Sequence, residues 1–138
     1  MSYKLKILNH PADLRIEVSA SSLEELFKGA IEGMASLLYQ KNSFLKEQCS
    51  FKKDINVKSN SLEQLMVDTL NEVLALSDIN NAIFPFCEIK EFKNNSLKAS
   101  LLGVKIERFD LEIKAATYYD LKIKKNDKTF SATITFDI

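Results

Sequence analysis

Twice along this chain a stretch of alternating apolar and polar residues gives way to helical spacing, and both times a serine marks the change. The first passage is "DLRIEVSASSLEEL". Leu14, Ile16 and Val18 lie opposite Asp13, Arg15 and Glu17, the period of two of a half-buried strand. After Ser22, residues Leu23, Leu26, Phe27, Ala30, Ile31, Met34 and Leu38 recur at helical spacing. Ser22 with Glu25 makes a capping box that specifies the helix start. The second passage is "DINVKSNSLEQL". Ser61 and Gln64 form its capping box, and Leu62, Leu65, Met66, Leu70, Val73 and Leu74 form its buried stripe. The echo does not require a duplication, because any strand-to-helix turn favours Ser at the cap with Glu or Gln three residues on. Two such helices set among alternating segments restrict the chain to an α+β fold.

The other alternating segments are strands. "YKLKI" puts Tyr3, Leu5 and Ile7 on one face, and "NHPA" follows as a turn in which Pro11 biases His10 toward extended geometry. "SFKKDINVKS" is a strand, and "FCEIKEFK" and "SLKASLLG" flank Asn94-Asn95 as a hairpin. "FDLEIKAATYY" reads as a further strand, and "DLKIKK" and "TFSATITFDI" flank Asn126-Asp127 as a second hairpin. The expected architecture is two helices packed on one face of a mixed, mostly antiparallel β-sheet. With 138 residues, three glycines, two prolines and no linker composition, a single domain over 1–138 is expected.

Nineteen Lys and Arg balance nineteen Asp and Glu, so the chain has no net field to hold a phosphate backbone non-specifically. Any link to RNA is therefore expected to run through a partner. Cys49 and Cys87 belong to no CxxC pair and read as structural thiols of a reducing compartment. His10 is the only imidazole, which argues against a Cys/His zinc site and against a Ser or Cys nucleophile with a base in reach. Gly29, Gly33 and Gly103 match neither nucleotide-binding fingerprint. No window approaches the roughly 20 apolar residues of a membrane span, and a cytoplasmic protein is expected.

Carboxylate chemistry remains. Asp13 opens a strand on its polar face, directly after a turn. Asp137 closes a strand on its polar face, and the carboxylate of Ile138 lies one residue on. Each Asp taken alone is a solvated strand-end carboxylate. Should the first and last strands meet, about three negative charges share one site, and two unit charges at 4 Å repel by roughly 4 kcal/mol at an effective dielectric of 20. A proton, a lysine or a divalent cation must relieve that repulsion. All-oxygen ligands favour hard cations such as Ca²⁺ or Mg²⁺.

Four segments carry a family resemblance. "LNHPADLRIEV" resembles the "DHTAD" opening of the archease family, and "SLEQLMVDTLNEVLALSD" its second helix, typically "LLVDWLNELLYL". "EIKAATYYDLKI" resembles its "KAVTYH" segment, and "ATITFDI" its C-terminal "VIFDI". The resemblance covers essentially the whole chain, in order. It implies a protein cofactor of the RtcB-type tRNA-splicing ligase, which joins RNA ends using GTP and a divalent metal, and it implies stimulation of ligase guanylylation and repeated turnover. It also implies a metal site at Asp13, Asp137 and Ile138, with Ca²⁺ expected first and Mg²⁺ or Mn²⁺ as alternatives. Lys114 matches the family's motif lysine and is expected as a cation near the acidic cluster or as a ligase contact. His10, in the opening motif, is expected to take part in ligase activation. Three positions depart from the pattern: Pro11 stands where the family often has Thr, Tyr119 where many members have His, and Thr69 where Trp is usual. Two rival readings stay open: a small metal-dependent hydrolase or phosphotransfer enzyme using the same carboxylates, and a plain interaction domain.

Overall fold

Both helix starts form as their serines dictate. In the computed structural model, which describes residues 2–9, 13–41 and 43–138, Ser22 Oγ accepts from the Glu25 N–H and Ser61 Oγ from the Gln64 N–H, each at 3.1 Å. Gln64 reaches back to the Asn60 N–H at 3.3 Å, one residue before the cap. Helix α1 spans Leu23–Leu38 and α2 spans Leu62–Asn80, where Asn81 adopts left-handed geometry and ends the helix.

The strands are β1 (Tyr3–Asn9), β2 (Leu14–Ala20), β3 (Phe51–Lys58), β4 (Ala82–Lys93), β5 (Ser96–Lys105), β6 (Ala115–Thr117), β7 (Lys124–Asn126) and β8 (Thr129–Asp137). All pairs are antiparallel, and the α+β expectation is met. The strands divide between two sheets. One runs β1-β2-β8-β6 with β7 also on β8, and the other runs β3-β5-β4. The Asn94-Asn95 hairpin forms with both residues at positive φ, the left-handed pair that a two-residue turn needs. The second hairpin turns one residue later than expected, on Asp127-Lys128, because Asn126 pairs with Thr129. Two expected strands are shorter than read. Of "FDLEIKAATYY" only Ala115–Thr117 joins a sheet, and of "DLKIKK" only Lys124 and Lys125, with Asn126, do. In the first, a long-range tie competes with the strand: Asp110 is drawn to the end of α1, its N–H donating to the Leu38 carbonyl at 2.9 Å and its Oδ2 accepting from the Gln40 N–H at 2.7 Å.

Each helix touches both sheets. Helix α1 is therefore buried on more than the expected stripe, including Gly29, Gly33, Ala35 and Leu37. A Cβ at Gly29 would sit 2.7 Å from the Tyr3 ring, and one at Gly33 would sit 2.8 Å from Leu5 Cδ1, so glycine is what lets β1 lie close to the helix. On its other side Phe27 meets Phe92 of β4 edge-to-face at 5.0 Å. Glu32 joins the two sheets: Tyr3 donates to its Oε1 at 3.0 Å and the Cys87 N–H of β4 to its Oε2 at 2.9 Å. Burial pushes the Glu32 carboxyl above its ordinary value against the opposing pull of these two hydrogen bonds. Burial first, then the nearby Glu32 charge, pushes the Cys87 thiol up to about 12, so it stays a buried, inert thiol. Cys49 is half-buried.

Candidate metal centre

Strand β8, the last in the chain, lies inside its sheet with β2 on one side and β6 on the other. The alternation of "TFSATITFDI" accounts for this. Ala132, Ile134 and Phe136 are buried toward the core, and Ser131, Thr133 and Asp137 take the opposite face with Thr135. The register pairs Leu14 with Phe136 and Ala116 with Phe136. Asp13 immediately precedes Leu14 and Asp137 immediately follows Phe136, with Ala115 paired to Asp137 on the far side. Each aspartate is thus one step beyond the Leu14–Phe136 pair, at the same end of the sheet. The Lys114 N–H donates to the Asp137 carbonyl at 2.8 Å and holds this last rung in place.

One rung inward on the same face, Arg15 pairs with Thr135 and Thr135 with Thr117. Arg15 Nε lies 3.6 Å from Asp13 Oδ1, and its guanidinium carbon lies 5.3 Å from the centroid of the Tyr119 ring. Thr117 Oγ1 donates to the Thr135 carbonyl at 2.9 Å and accepts from the Tyr119 N–H at 3.3 Å. Among the described residues, Asp13 Oδ1, Arg15 Nε and Thr135 Oγ1 are buried atoms with no hydrogen-bond partner.

Asp13 and Ile138 also line a cavity of about 590 Å³ with Leu14, Leu37, Gln40 and Leu111. Ile138 is 44% exposed, so its side chain edges this cavity instead of continuing the buried face of β8. The Lys114 side chain is exposed and lines a cavity with Asp78, Phe109, Glu112 and Ile113. The basic side chain beside Asp13 is Arg15, which its spacing of two along a strand could have signalled. His10 lies outside the described residues, as does Pro11. No group of three or more His, Cys, Asp or Glu side chains gathers among the described residues, so any ion here would rest on two side chains and the terminal carboxylate.

Helix α2 positions the strand next to Asp137, a contribution that no sequence pattern pointed to. Asn71 Nδ2 donates to the Ala116 carbonyl at 3.2 Å, and the Ala116 N–H donates to Asn71 Oδ1 at 2.8 Å. One asparagine thereby stands in for a neighbouring strand along the outer edge of β6. Asp68 accepts from Tyr118 and Glu63 from the Ile123 N–H, and these two bonds tie down the segment after β6.

The profile of the Archease protein family (MTH1598/TM1083) matches residues 5–138. The chain belongs to the archease family. Protein archease of Methanosarcina barkeri is 29% identical over 139 residues, covering 95% of this chain and 93% of that protein. Protein archease of Pyrococcus abyssi is 32% identical over 123 residues, covering 84% of each. The crystal structure of an archease, a possible chaperone, from Thermotoga maritima matches 96% of both chains with a TM-score of 0.65 at 26% identity. The solution structure of Methanobacterium thermoautotrophicum protein 1598 shares the fold, with a TM-score of 0.77 over 97% of this chain and 98% of that one at 22% identity. Among the described residues, no helix of this archease is long and apolar enough to cross a membrane.

Proposed function

We propose that this chain is a single-domain archease of the cytosol that acts as a protein cofactor of an RtcB-type RNA ligase. It stimulates ligase guanylylation and repeated turnover through a divalent cation at Asp13, Asp137 and the terminal carboxylate of Ile138. The observation that supports the reading is the β2–β8 register, whose Leu14–Phe136 pair brings Asp13 and Asp137, from opposite ends of the chain, to the same end of the sheet. The donor set fits a hard cation: it is all oxygen, and Asp13 Oδ1 is a buried acceptor without a partner. When bound, Ca²⁺, or Mg²⁺ or Mn²⁺ in its place, supplies positive charge at a face that otherwise presents carboxylates. Asp13 and Asp137 hold it, and the Lys114 N–H keeps the Asp137 backbone in register. The Lys114 side chain, facing its own cavity, serves as a ligase contact in this reading. His10 takes part in the same activation.

The expected lack of turnover by the protein itself is supported by what its glycines do. Gly29 and Gly33 accommodate β1, and Gly103 accommodates the Phe51 ring, 2.5 Å from where a Cβ would stand. All three are spent on packing, and none opens a phosphate loop. A small metal-dependent hydrolase or phosphotransfer enzyme on the same carboxylates would also need a general base and a phosphate stabiliser.

The test is guanylylation of an RtcB-type ligase with wild-type protein, with Asp137→Asn and with a C-terminally tagged chain, alongside thermal unfolding of each. Wild type is expected to stimulate, and both variants to lose stimulation while unfolding near the wild-type temperature. Equal stimulation by all three would remove the carboxylates from the mechanism. GTP turnover by homogeneous wild type, lost in Asp13→Ala, would favour the enzyme reading.

A further inference from the structure

We infer that Arg15 is a tethered counter-cation of the acidic site, which a divalent ion must displace from Asp13 in order to bind. The inference rests on the proposed cation site and goes beyond it, because it assigns control of affinity to a residue outside the carboxylate set. Three observations carry it. The Arg15 guanidinium begins 3.6 Å from Asp13 Oδ1, close enough for strong attraction, yet the two atoms make no hydrogen bond. The pair is held at charge-pair distance and is not locked.

Thr135 is the second observation. It is only 3% exposed although it faces away from the core, it pairs with Arg15 across the strands, and its Oγ1 has no hydrogen-bond partner among the described residues. Buried hydroxyls are normally satisfied. A buried, unserved hydroxyl directly across from the arginine marks a place on this sheet face that an ordered water completes. Tyr119 is the third. Its ring already lies 5.3 Å from the guanidinium carbon while Nε faces Asp13, so a cation–π contact keeps the arginine in place when an ion takes the carboxylate. The guanidinium touches Asp13 and the Tyr119 ring together, and the ring alone holds it once an ion takes Asp13.

A fixed positive charge next to a cation ligand lowers affinity, and removing it raises affinity. The charge, not the bulk, is the cause, so lysine should preserve the effect and glutamine abolish it. The Arg15 side chain is about a fifth exposed, which screens the interaction. The experiment is calorimetric titration of CaCl₂ into wild type, Arg15→Gln, Arg15→Lys and Asp137→Asn, with thermal unfolding of each in chelator and in saturating Ca²⁺. Arg15→Gln is expected to bind Ca²⁺ at least ~10-fold more tightly than wild type, with Arg15→Lys close to wild type and Asp137→Asn far weaker. Arg15→Gln should also melt lower than wild type in chelator and gain more from Ca²⁺, since its Asp13 then lacks any counter-charge.

Should Arg15→Gln bind no more tightly than wild type while Asp137→Asn loses binding, the counter-cation role is overturned and the cation site stands. Absence of Ca²⁺ binding by both wild type and Arg15→Gln would overturn both. If Arg15→Gln fails to fold, the Arg15 Nε–H resonance of wild type decides. A shift on Ca²⁺ addition supports displacement, and an unmoved resonance at Ca²⁺ saturation refutes it.

Discussion

Truncating Asn71 to alanine should loosen the sheet beside Asp137 more than a change on a helix surface ordinarily would. Ala116 sits on the edge strand β6, and its N–H and carbonyl point to Asn71 where a further strand would lie. Asn71→Ala removes both partners at once and leaves a buried donor and a buried acceptor unpaired, because Ala116 itself is only 4% exposed. An unsatisfied buried backbone group costs ~1–3 kcal/mol, so the pair together should cost about 2–4 kcal/mol after water partly reaches the gap. For a chain of this size that corresponds to a fall in Tm of about 5–15 °C. Asn71→Asp keeps the acceptor for the Ala116 N–H but sets its second oxygen against the Ala116 carbonyl, so it should not rescue. Urea unfolding gives the loss, and amide exchange at Ala116 locates it. A loss below ~0.5 kcal/mol with the Ala116 amide still protected would refute the claim that one side chain completes this sheet edge.

Leu26→Ala and Leu70→Ala, both at residues fully buried between the sheets, should each cost ~2–5 kcal/mol in urea unfolding; near-zero losses would mean the core faces are misassigned. Thr69 Oγ1 is buried with no partner among the described residues, so Thr69→Val should stabilise by ~1 kcal/mol; a clear loss in the same assay would show that the hydroxyl is served. Glu32 has its folded-state carboxyl raised above the ordinary 4.5 by burial, so its contribution to stability is full below about pH 4.5 and fades as pH rises through the raised value. Glu32→Gln lacks that loss, and its stability relative to wild type should rise from about pH 4 to about pH 8. A difference that stays flat with pH would contradict the assigned shift.

The local part of this structure was legible and the long-range part was not. Ser22, Ser61 and Asn94-Asn95 act through neighbours a few residues away, and each did what its type predicts. Alternation assigned Asp13 and Asp137 to polar strand ends but could not say that they lie at the same end of one sheet, because nothing local encodes a pairing across nearly the whole chain. For the same reason the division into two sheets was invisible, since β3 pairs with β5, not with β2. Helix α1 read as one-sided because a stripe of large residues is what periodicity detects, while Gly29 and Gly33 form a second contact surface by being small. Glu32 and Asn71 resemble ordinary helix polar residues until the strands they serve are in place. Lys114 was singled out by resemblance, while Arg15, two residues along the strand from Asp13, lies 3.6 Å from its carboxylate.

The central position of β8 bears on the order in which the molecule can assemble. Its partner β2 is made early, and the residues that complete the sheet are made last. At ~5–20 residues per second, the apolar face and unpaired inner edge of β2 wait on the order of ten seconds during synthesis. Closure between such distant segments carries a high loop entropy and a high contact order, which slows folding. The second sheet, whose β4–β5 hairpin closes on a two-residue turn, can form with α1 and α2 before β8 exists. The Leu14–Phe136 pair, which brings both aspartates to one end of the sheet, is then among the last contacts to form, so a chain that has not yet made β8 would own most of its core while lacking that end of the sheet.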